Sequence, residues 1–285
     1  MAETYSTLTA LFTDIADAIR EKTGDAATII ADDFPDVIRE RFRVISPPAT
    51  SAYLTFSSPS SFTLKVNNAS KNWDGTLEYS TDASTWSTWD GTTTLSSATS
   101  GSNNVLYLRG TGNTKIGFYD EDLYDYVPWV INGTDVRCNG NIETLLDYGT
   151  VEAGEHPVMA YECFAGLFSG CTSLTQAPTL PATTLSNSCY LGMFYGCTSL
   201  TQAPALPATT LAISCYSFMF YGCTSLKFSS TQTGEYTVAY RIPTTGTGTT
   251  AADALRDMFT STGGSFKGTP KINTTYYLSN TNTIV

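Results

Sequence analysis

A repeated stretch decides the fold that this sequence predicts: YECFAGLFSGCTSLTQAPTLPATTLS at residues 161–186, then NSCYLGMFYGCTSLTQAPALPATTLA at residues 187–212. Residues 213–226 begin a third copy, ISCYSFMFYGCTSL. The copies follow one another at a period of 26 residues, which lies in the range where one supersecondary unit stacks on the next. The sequence therefore predicts a stacked repeat architecture.

Each repeat can be divided into a helical part, a strand and a return. The segment CYxxMFYG predicts about two helical turns that end at Gly196 or Gly222, because glycine is the usual residue just past a helix end. The following TSLT predicts a short strand, and two prolines then stop further ladder pairing. Each unit is too small to fold alone, so stability is expected to come from stacking.

Six of the seven cysteines recur at the repeat period. They form two columns, Cys163/Cys189/Cys215 and Cys171/Cys197/Cys223. Repetition at the structural period is typical of inward-facing positions, and free cysteine behaves as a small hydrophobic residue. The pattern therefore favours buried thiols over disulfides or a metal site. A metal site is disfavoured because close Cys or His pairs are missing and the only histidine is His156. No metal and no cofactor are predicted.

The composition limits the kinds of partner that the protein can be expected to bind. The chain has 285 residues and a net charge of −11, which argues against nucleic acid. No charged residue and no histidine lies at positions 163–226, yet no stretch reaches the ~20 apolar residues that span a bilayer. The termini carry no evident secretory signal or wall anchor, so synthesis in the bacterial cytoplasm and no membrane insertion are expected.

Residues 1–46 predict two short amphipathic helices, the second at about 33–42. Such helices have little to bury against each other, so we expect them to pack on a partner or on copies of themselves, the alternative being a hairpin folded back on the next domain. The residues predicted for docking or oligomerisation are Leu8, Leu11, Phe12, Ile15 and Ile19.

Residues 47–128 predict short strands of a small immunoglobulin-like β-sandwich. Its tryptophans are expected in the core, with a sugar-binding platform as the alternative. Residues 129–285 predict the repeat domain. Its N-terminal cap would be a degenerate repeat at 134–160, in which Cys138 precedes Cys163 by 25 residues, and its C-terminal cap would be 227–285. Within this C-terminal cap, Met258-Phe259 corresponds to Met219-Phe220 of the third repeat, one period later plus an insertion of 13 residues.

Catalytic motifs are missing from the sequence. It contains no G-x-S-x-G, no P-loop and no G-x-G-x-x-G after a strand. The acidic cluster at 119–125 does not match a calcium-binding EF-hand loop and is interpreted as a solvated turn. The protein is predicted not to be an enzyme.

Three segments carry a resemblance to known families. LTALFTDIADAIREKTG, followed by IIADDFPDVIRERF, resembles the N-terminus of tail-associated, receptor-binding or fibre-like proteins of phages and prophages. YSTDASTWSTWDG resembles a hairpin of bacterial and phage Ig-like modules. MFYGCTSLTQAPALPATTLA resembles BspA-like leucine-rich repeats. The resemblance implies a virion protein attached by its N-terminus and a right-handed solenoid that binds a partner, with no catalytic residue to transfer.

We therefore expect a multi-domain, mainly β fold with short helices: an N-terminal helical segment, an Ig-like β-sandwich and a leucine-rich-repeat-type solenoid. The expected function is that of a phage tail-fibre or baseplate-associated protein, which contacts other virion proteins through its N-terminus and binds a host surface polysaccharide or protein. It is expected in the virion as a homotrimer. A structural head-fibre or decoration protein and a bacterial surface adhesin are the alternatives. The ligand-binding candidates are Tyr195, Tyr221, Gln176 and Gln202.

Overall fold

A computed structural model describes residues 52–67, 73–117, 119–120, 125–243, 245–246 and 253–285. The predicted helices of residues 1–46 and the side chains of the acidic cluster at 119–125 lie outside the described residues. The chain divides into two compact units, Met1–Ala49 and Thr50–Val285, and all the described residues belong to the second. The domain boundaries at residues 46 and 128 stay predictions.

The first part of this unit contains the short strands that the alternation of apolar residues predicts. Strand β1 (Leu54–Ser58) shows this alternation clearly, since Leu54 and Phe56 are buried and Thr55 between them is not. A turn at residues 82–84 connects β3 (Thr76–Ser80) to β4 (Ser87–Trp89) in an antiparallel hairpin, and the Asp82 carboxylate accepts hydrogen bonds from the N–H groups of Ser84 and Thr85 there. The strands are β1 (Leu54–Ser58), β2 (Thr63–Val66), β3 (Thr76–Ser80), β4 (Ser87–Trp89), β5 (Leu95–Ser96), β6 (Ala98–Ser100) and β7 (Asn103–Thr111).

The rest of the unit consists of one helix, several short strands and many turns. Helix α1 (Thr144–Glu152) is the only α-helix among the described residues. None of these residues belongs to a helix that is long and apolar enough to cross a membrane. The strands are β8 (Tyr119–Asp120), β9 (Asp125–Tyr126), β10 (Trp129–Asn132), β11 (Val136–Asn139), β12 (Leu174–Gln176), β13 (Gln202–Ala203), β14 (Thr210–Leu211), β15 (Lys227–Ser229), β16 (Tyr236–Arg241), β17 (Thr245–Gly246), β18 (Gly263–Gly264), β19 (Thr275–Ser279) and β20 (Thr283–Ile284).

The sheet topology overturns the predicted fold class. One sheet runs β20-β13-β12-β11-β1-β7-β3-β4, with β6 beside β7, and a second runs β10-β2-β5. Strands expected in an Ig-like sandwich thus pair with strands expected in a repeat solenoid: β1 with β11, and β2 with β10. The predicted fold class, an Ig-like sandwich followed by a leucine-rich-repeat solenoid, is therefore wrong, and the described residues form a mainly β unit with 31% strand. The physical reason is a shared core, in which the ring of Phe56 packs 6.2 Å from that of Phe168.

The predicted helical turns of the repeats are also wrong, because these segments are runs of tight turns. The N–H of Phe164 donates to the carbonyl of Cys189 in the next repeat (2.8 Å), and the N–H of Ala165 donates to Glu162 three residues earlier (3.1 Å). An α-helix needs bonds to the carbonyl four residues earlier. Every fourth residue has a positive φ, and those residues are Glu162, Gly166 and Gly170 in the first repeat, Ser188, Gly192 and Gly196 in the second, and Ser214, Phe218 and Gly222 in the third.

Aromatic rings stack from repeat to repeat along the core. Ring centroids are 5.7 Å apart for Phe168–Phe194 and 5.8 Å for Phe194–Phe220. The row continues at both ends, to Trp129 (6.0 Å from Phe168) and to Phe259 (6.3 Å from Phe220). The buried apolar residues of the described chain form one cluster from Leu54 to Leu278.

The structure supports the prediction for the C-terminal cap and contradicts the one for the N-terminal cap. The N–H of Phe220 donates to Met258, as that of Phe194 does to Met219, so the predicted equivalence across the 13-residue insertion is confirmed, although the segment forms turns rather than a helix. At the other end, Val136 pairs with Leu174 in β12. The interval between Cys138 and Cys163 is therefore not a structural period, and the prediction of a degenerate 25-residue repeat is wrong.

Candidate functional site

Two of the predicted binding residues, Tyr195 and Tyr221, form a stacked pair. Each tyrosine precedes the left-handed glycine of its turn run, and the N–H of Gly196 donates to the carbonyl of Tyr221 (2.7 Å). This register aligns the rings, whose centroids lie 4.8 Å apart at an interplanar angle of 1°. Tyr195 is 42% exposed.

One face of this pair has no aromatic neighbour in the preceding repeat. The residue one period before Tyr195 is Ser169, which is small and half-buried. Tyrosine combines a flat apolar ring with a polar hydroxyl, which suits surfaces that are part apolar and part wet. The pair can therefore offer a ring face and two hydroxyl groups to a ligand.

The other two candidates, Gln176 and Gln202, also lie side by side, in the parallel strands β12 and β13. Both are half-buried. The Gln176 side-chain amide donates to the Asn139 side chain in β11 (2.5 Å), so part of its hydrogen-bonding capacity is used within the fold. The structure thus brings the candidates together as two pairs. The predicted docking residues at positions 8–19 lie outside the described part of the chain.

A second candidate, which the sequence did not reveal, is a cavity of about 330 Å³ beside Glu143 and His156. Glu143 is the residue before helix α1, and its side chain is only 1% exposed. One carboxylate oxygen, Oε2, lies 2.8 Å from His156 Nδ1. Neither residue recurs in the repeats, so no pattern in the sequence marks them; the single histidine of the chain was the one available signal.

Two buried side-chain oxygens have no hydrogen-bond partner among the described residues: Glu143 Oε1, and the hydroxyl of Tyr190, which does not line this cavity. Burial raises the pKa of Tyr190, and the charges of Cys189, Tyr216 and Glu143 add smaller contributions in the same direction. Buried polar atoms nearly always have a hydrogen-bond partner, so these two oxygens are exceptions in the core.

The cysteine columns point into the core, as predicted. All seven cysteines are free and buried, and the thiols of Cys171, Cys197 and Cys223 donate to main-chain carbonyls at 2.9–3.0 Å. Burial raises the pKa of every one of them, and raises the pKa of Cys171 and of Cys215 to about 12. Across the described ranges, no group of three or more His, Cys, Asp or Glu side chains is placed to hold a metal ion.

These thiols are expected to be unreactive in the folded protein. Thiolates attack a chromogenic disulfide reagent and release its chromophore. At a pH of about 8, native protein should therefore release almost no chromophore from the reagent, whereas denatured, unreduced protein should react at all seven cysteines. The control is Val158→Cys, which places a thiol at a residue that is 74% exposed and should add one fast-reacting group. Rapid labelling of the native wild type, or fewer than seven thiols after denaturation, would contradict the assignment.

Comparisons with protein-family models, curated proteins and solved structures found no match to this chain.

Proposed function

We propose that this protein is a component of a phage particle that binds the host cell surface through its repeats and attaches to the particle through its N-terminal segment. The observation that supports binding is the coplanar pair of the exposed Tyr195 and the half-buried Tyr221. The particle role, the trimeric state and the docking residues rest on the N-terminal sequence alone. In this proposal the protein binds and does not catalyse.

The proposed ligand is a neutral cell-surface polysaccharide. Residues 163–226 contain no charged side chain. The guanidinium of Arg256 lies 5.7 Å from the ring of Phe218, next to Tyr221, and pairs with the carboxylate of Asp257. The outward residues Thr172, Thr198 and Thr224 add hydroxyl groups at the same position of each repeat. Sugar rings present C–H faces and hydroxyl groups together, which matches tyrosine faces next to threonine hydroxyls.

A structural role without a receptor is the second candidate. It is supported by the rows of main-chain hydrogen bonds between repeats, such as Phe164 to Cys189 and Tyr190 to Cys215. Such rows, together with one continuous core, would make a stiff spacer or decoration on a particle.

The test compares particles that carry the wild type with particles that carry Tyr195→Ala/Tyr221→Ala. Adsorption to host cells should fall by at least about tenfold, while the protein remains detectable in purified particles. The matched control is Tyr161→Ala, since Tyr161 is 60% exposed and lies outside the pair.

The outcomes separate the candidates. Normal adsorption by the double variant would contradict the binding role and leave the structural one. Absence of the protein from purified particles, with presence in the bacterial envelope, would contradict the phage assignment and favour the adhesin.

A further inference from the structure

A cavity of about 530 Å³ lies between strand β16 and the loop that follows β13. It is lined by residues 205–207 and 209 of the loop, by residues 239–241 of β16 and by Ile284 of β20. The buried Tyr240 hydroxyl donates to the carbonyl of Pro204 (2.9 Å), which holds the strand and the loop together. The volume is within the range of small-molecule sites.

Arg241 supplies the one charged side chain of this lining. Each of the other three arginines that the structure describes pairs with a carboxylate. Arg241 has no such partner in the described part of the chain; its Nη1 group donates instead to the carbonyls of Leu206 and Ala208, both at 3.2 Å. Val285, beside the lining, accepts the N–H of Ala205 (3.3 Å) and is not ion-paired with Arg241. The cation of the cavity is therefore uncompensated by any described ion pair.

The bonds made by Nη1 leave the other edge of the guanidinium unused. That edge consists of Nε–H and one N–H of Nη2, which point the same way in the planar group. No described residue accepts a hydrogen bond from it. Arg241 is an exposed residue, so a ligand can reach it. Two parallel donors on a cation match the two oxygens of a carboxylate.

The rest of the lining selects among ligands. It contains no Asp, no Glu and no second cation, so an ammonium group would meet Arg241 with no lining carboxylate to offset the repulsion. Leu206, Pro207, Ala239 and Ile284 form an aliphatic wall. Only two side-chain hydroxyl groups line the cavity, and one of them is already bonded to Pro204. A ligand rich in hydroxyl groups would therefore bury several of them without a partner.

We infer that this cavity binds a small organic monoanion, with its carboxylate on the Nε–Nη2 edge of Arg241 and an apolar body against Leu206, Pro207 and Ile284. The repeats carry no charge at residues 163–226, so the segment after them supplies the cation for a site whose loop wall they form. Neither tyrosine of the Tyr195–Tyr221 pair lines the cavity, and the inference does not depend on the function proposed for that pair.

The inference can be tested by saturation-transfer NMR titrations on the full chain, with four probes built on a six-membered ring. At a pH of about 7, cyclohexanecarboxylate is the apolar anion, cyclohexanecarboxamide its neutral counterpart, cyclohexylmethylamine the cation and glucuronate the hydroxylated anion. We expect cyclohexanecarboxylate to bind, the amide and glucuronate to bind at least about tenfold more weakly, and the amine not to bind.

Arg241→Met should lower the affinity for cyclohexanecarboxylate by at least about tenfold and leave that for the amide unchanged. The ratio of the two affinities is the decisive reading, because a shifted loop alone would weaken both probes. The control is Arg137→Met, which removes an arginine that is ion-paired and lies outside the lining; it should bind as the wild type does.

A second pair of variants does not remove the hydrogen bonds of Arg241. Ala239 is exposed and lines the cavity, so Ala239→Trp should block it from outside and abolish binding. Thr237 is also exposed, lies two residues earlier on the same face of β16, and is outside the lining. Thr237→Trp should therefore bind normally. If circular dichroism shows that Arg241→Met is unfolded, this pair and the four probes still decide the question.

Four results would overturn the inference: cyclohexanecarboxylate does not bind, another probe binds as tightly, a folded Arg241→Met keeps the preference for the carboxylate, or the two tryptophan variants behave alike. The Tyr195→Ala/Tyr221→Ala variant should bind cyclohexanecarboxylate as the wild type does. If that variant loses the probe while Ala239→Trp retains it, the probe binds at the tyrosine pair, and the cavity site fails while the proposed function stands.

Discussion

Phe194→Ala is expected to lower the free energy of unfolding by about 3–5 kcal/mol, the range measured for phenylalanine truncation in well-packed cores. Phe194 is fully buried between Phe168 and Phe220, at ring distances of 5.7 and 5.8 Å. Its neighbours are held by main-chain bonds between repeats, so they cannot collapse into the cavity that the substitution leaves.

The same variant tests whether the described unit has one core. All four tryptophans lie at positions 73–129, whereas residue 194 lies in the second repeat. If the core is continuous, Phe194→Ala should shift the denaturant transition seen by tryptophan fluorescence as much as the one seen by circular dichroism. Ile213→Ala is the control, because Ile213 is 42% exposed and should change stability by less than about 1 kcal/mol. An unchanged fluorescence transition would mean that the tryptophans and the repeats unfold separately.

The error in the predicted fold class has an identifiable cause. Alternation within residues 54–58 predicts strand β1 correctly, but it carries no information about the partner of that strand, and β1 pairs with β11 from the far side of the predicted domain boundary. Likewise, the glycine at 196 does occupy a left-handed position (φ 69°), as its place at the end of the segment predicts. A single copy of the motif cannot reveal that its N–H groups donate to carbonyls of the next copy. This pairing between copies replaces the hydrogen bonds of a local helix, because tertiary contacts override helix propensity.

The two candidate sites also differ in how far the sequence predicts them. Tyr195 and Tyr221 are separated by one period, so the repeat itself indicates that they lie in one column, and the structure places their rings face to face. Glu143 and His156 belong to no repeat. Their pairing depends on where helix α1 and the following segment pack, and a single sequence offers no periodic signal for that.

Gly110→Ala is expected to destabilise the fold by at least about 3 kcal/mol, at or beyond the upper end of the usual cost of overpacking. Gly110 lies in β7, where a Cβ atom would sit 1.7 Å from the carbonyl oxygen of Leu145 in helix α1. The same carbonyl accepts the side-chain amide of Asn113 (3.0 Å), which is buried and also donates to Thr76 in β3 (2.8 Å). The helix cannot move away from the added methyl group without breaking these bonds.

The control for Gly110→Ala is Gly234→Ala, since a Cβ atom on Gly234 meets nothing within 4 Å. Denaturant melts of both variants should show a large loss for Gly110→Ala and a change within about 0.5 kcal/mol for Gly234→Ala. A Gly110→Ala variant as stable as Gly234→Ala would show that α1 does not pack against β7 this closely.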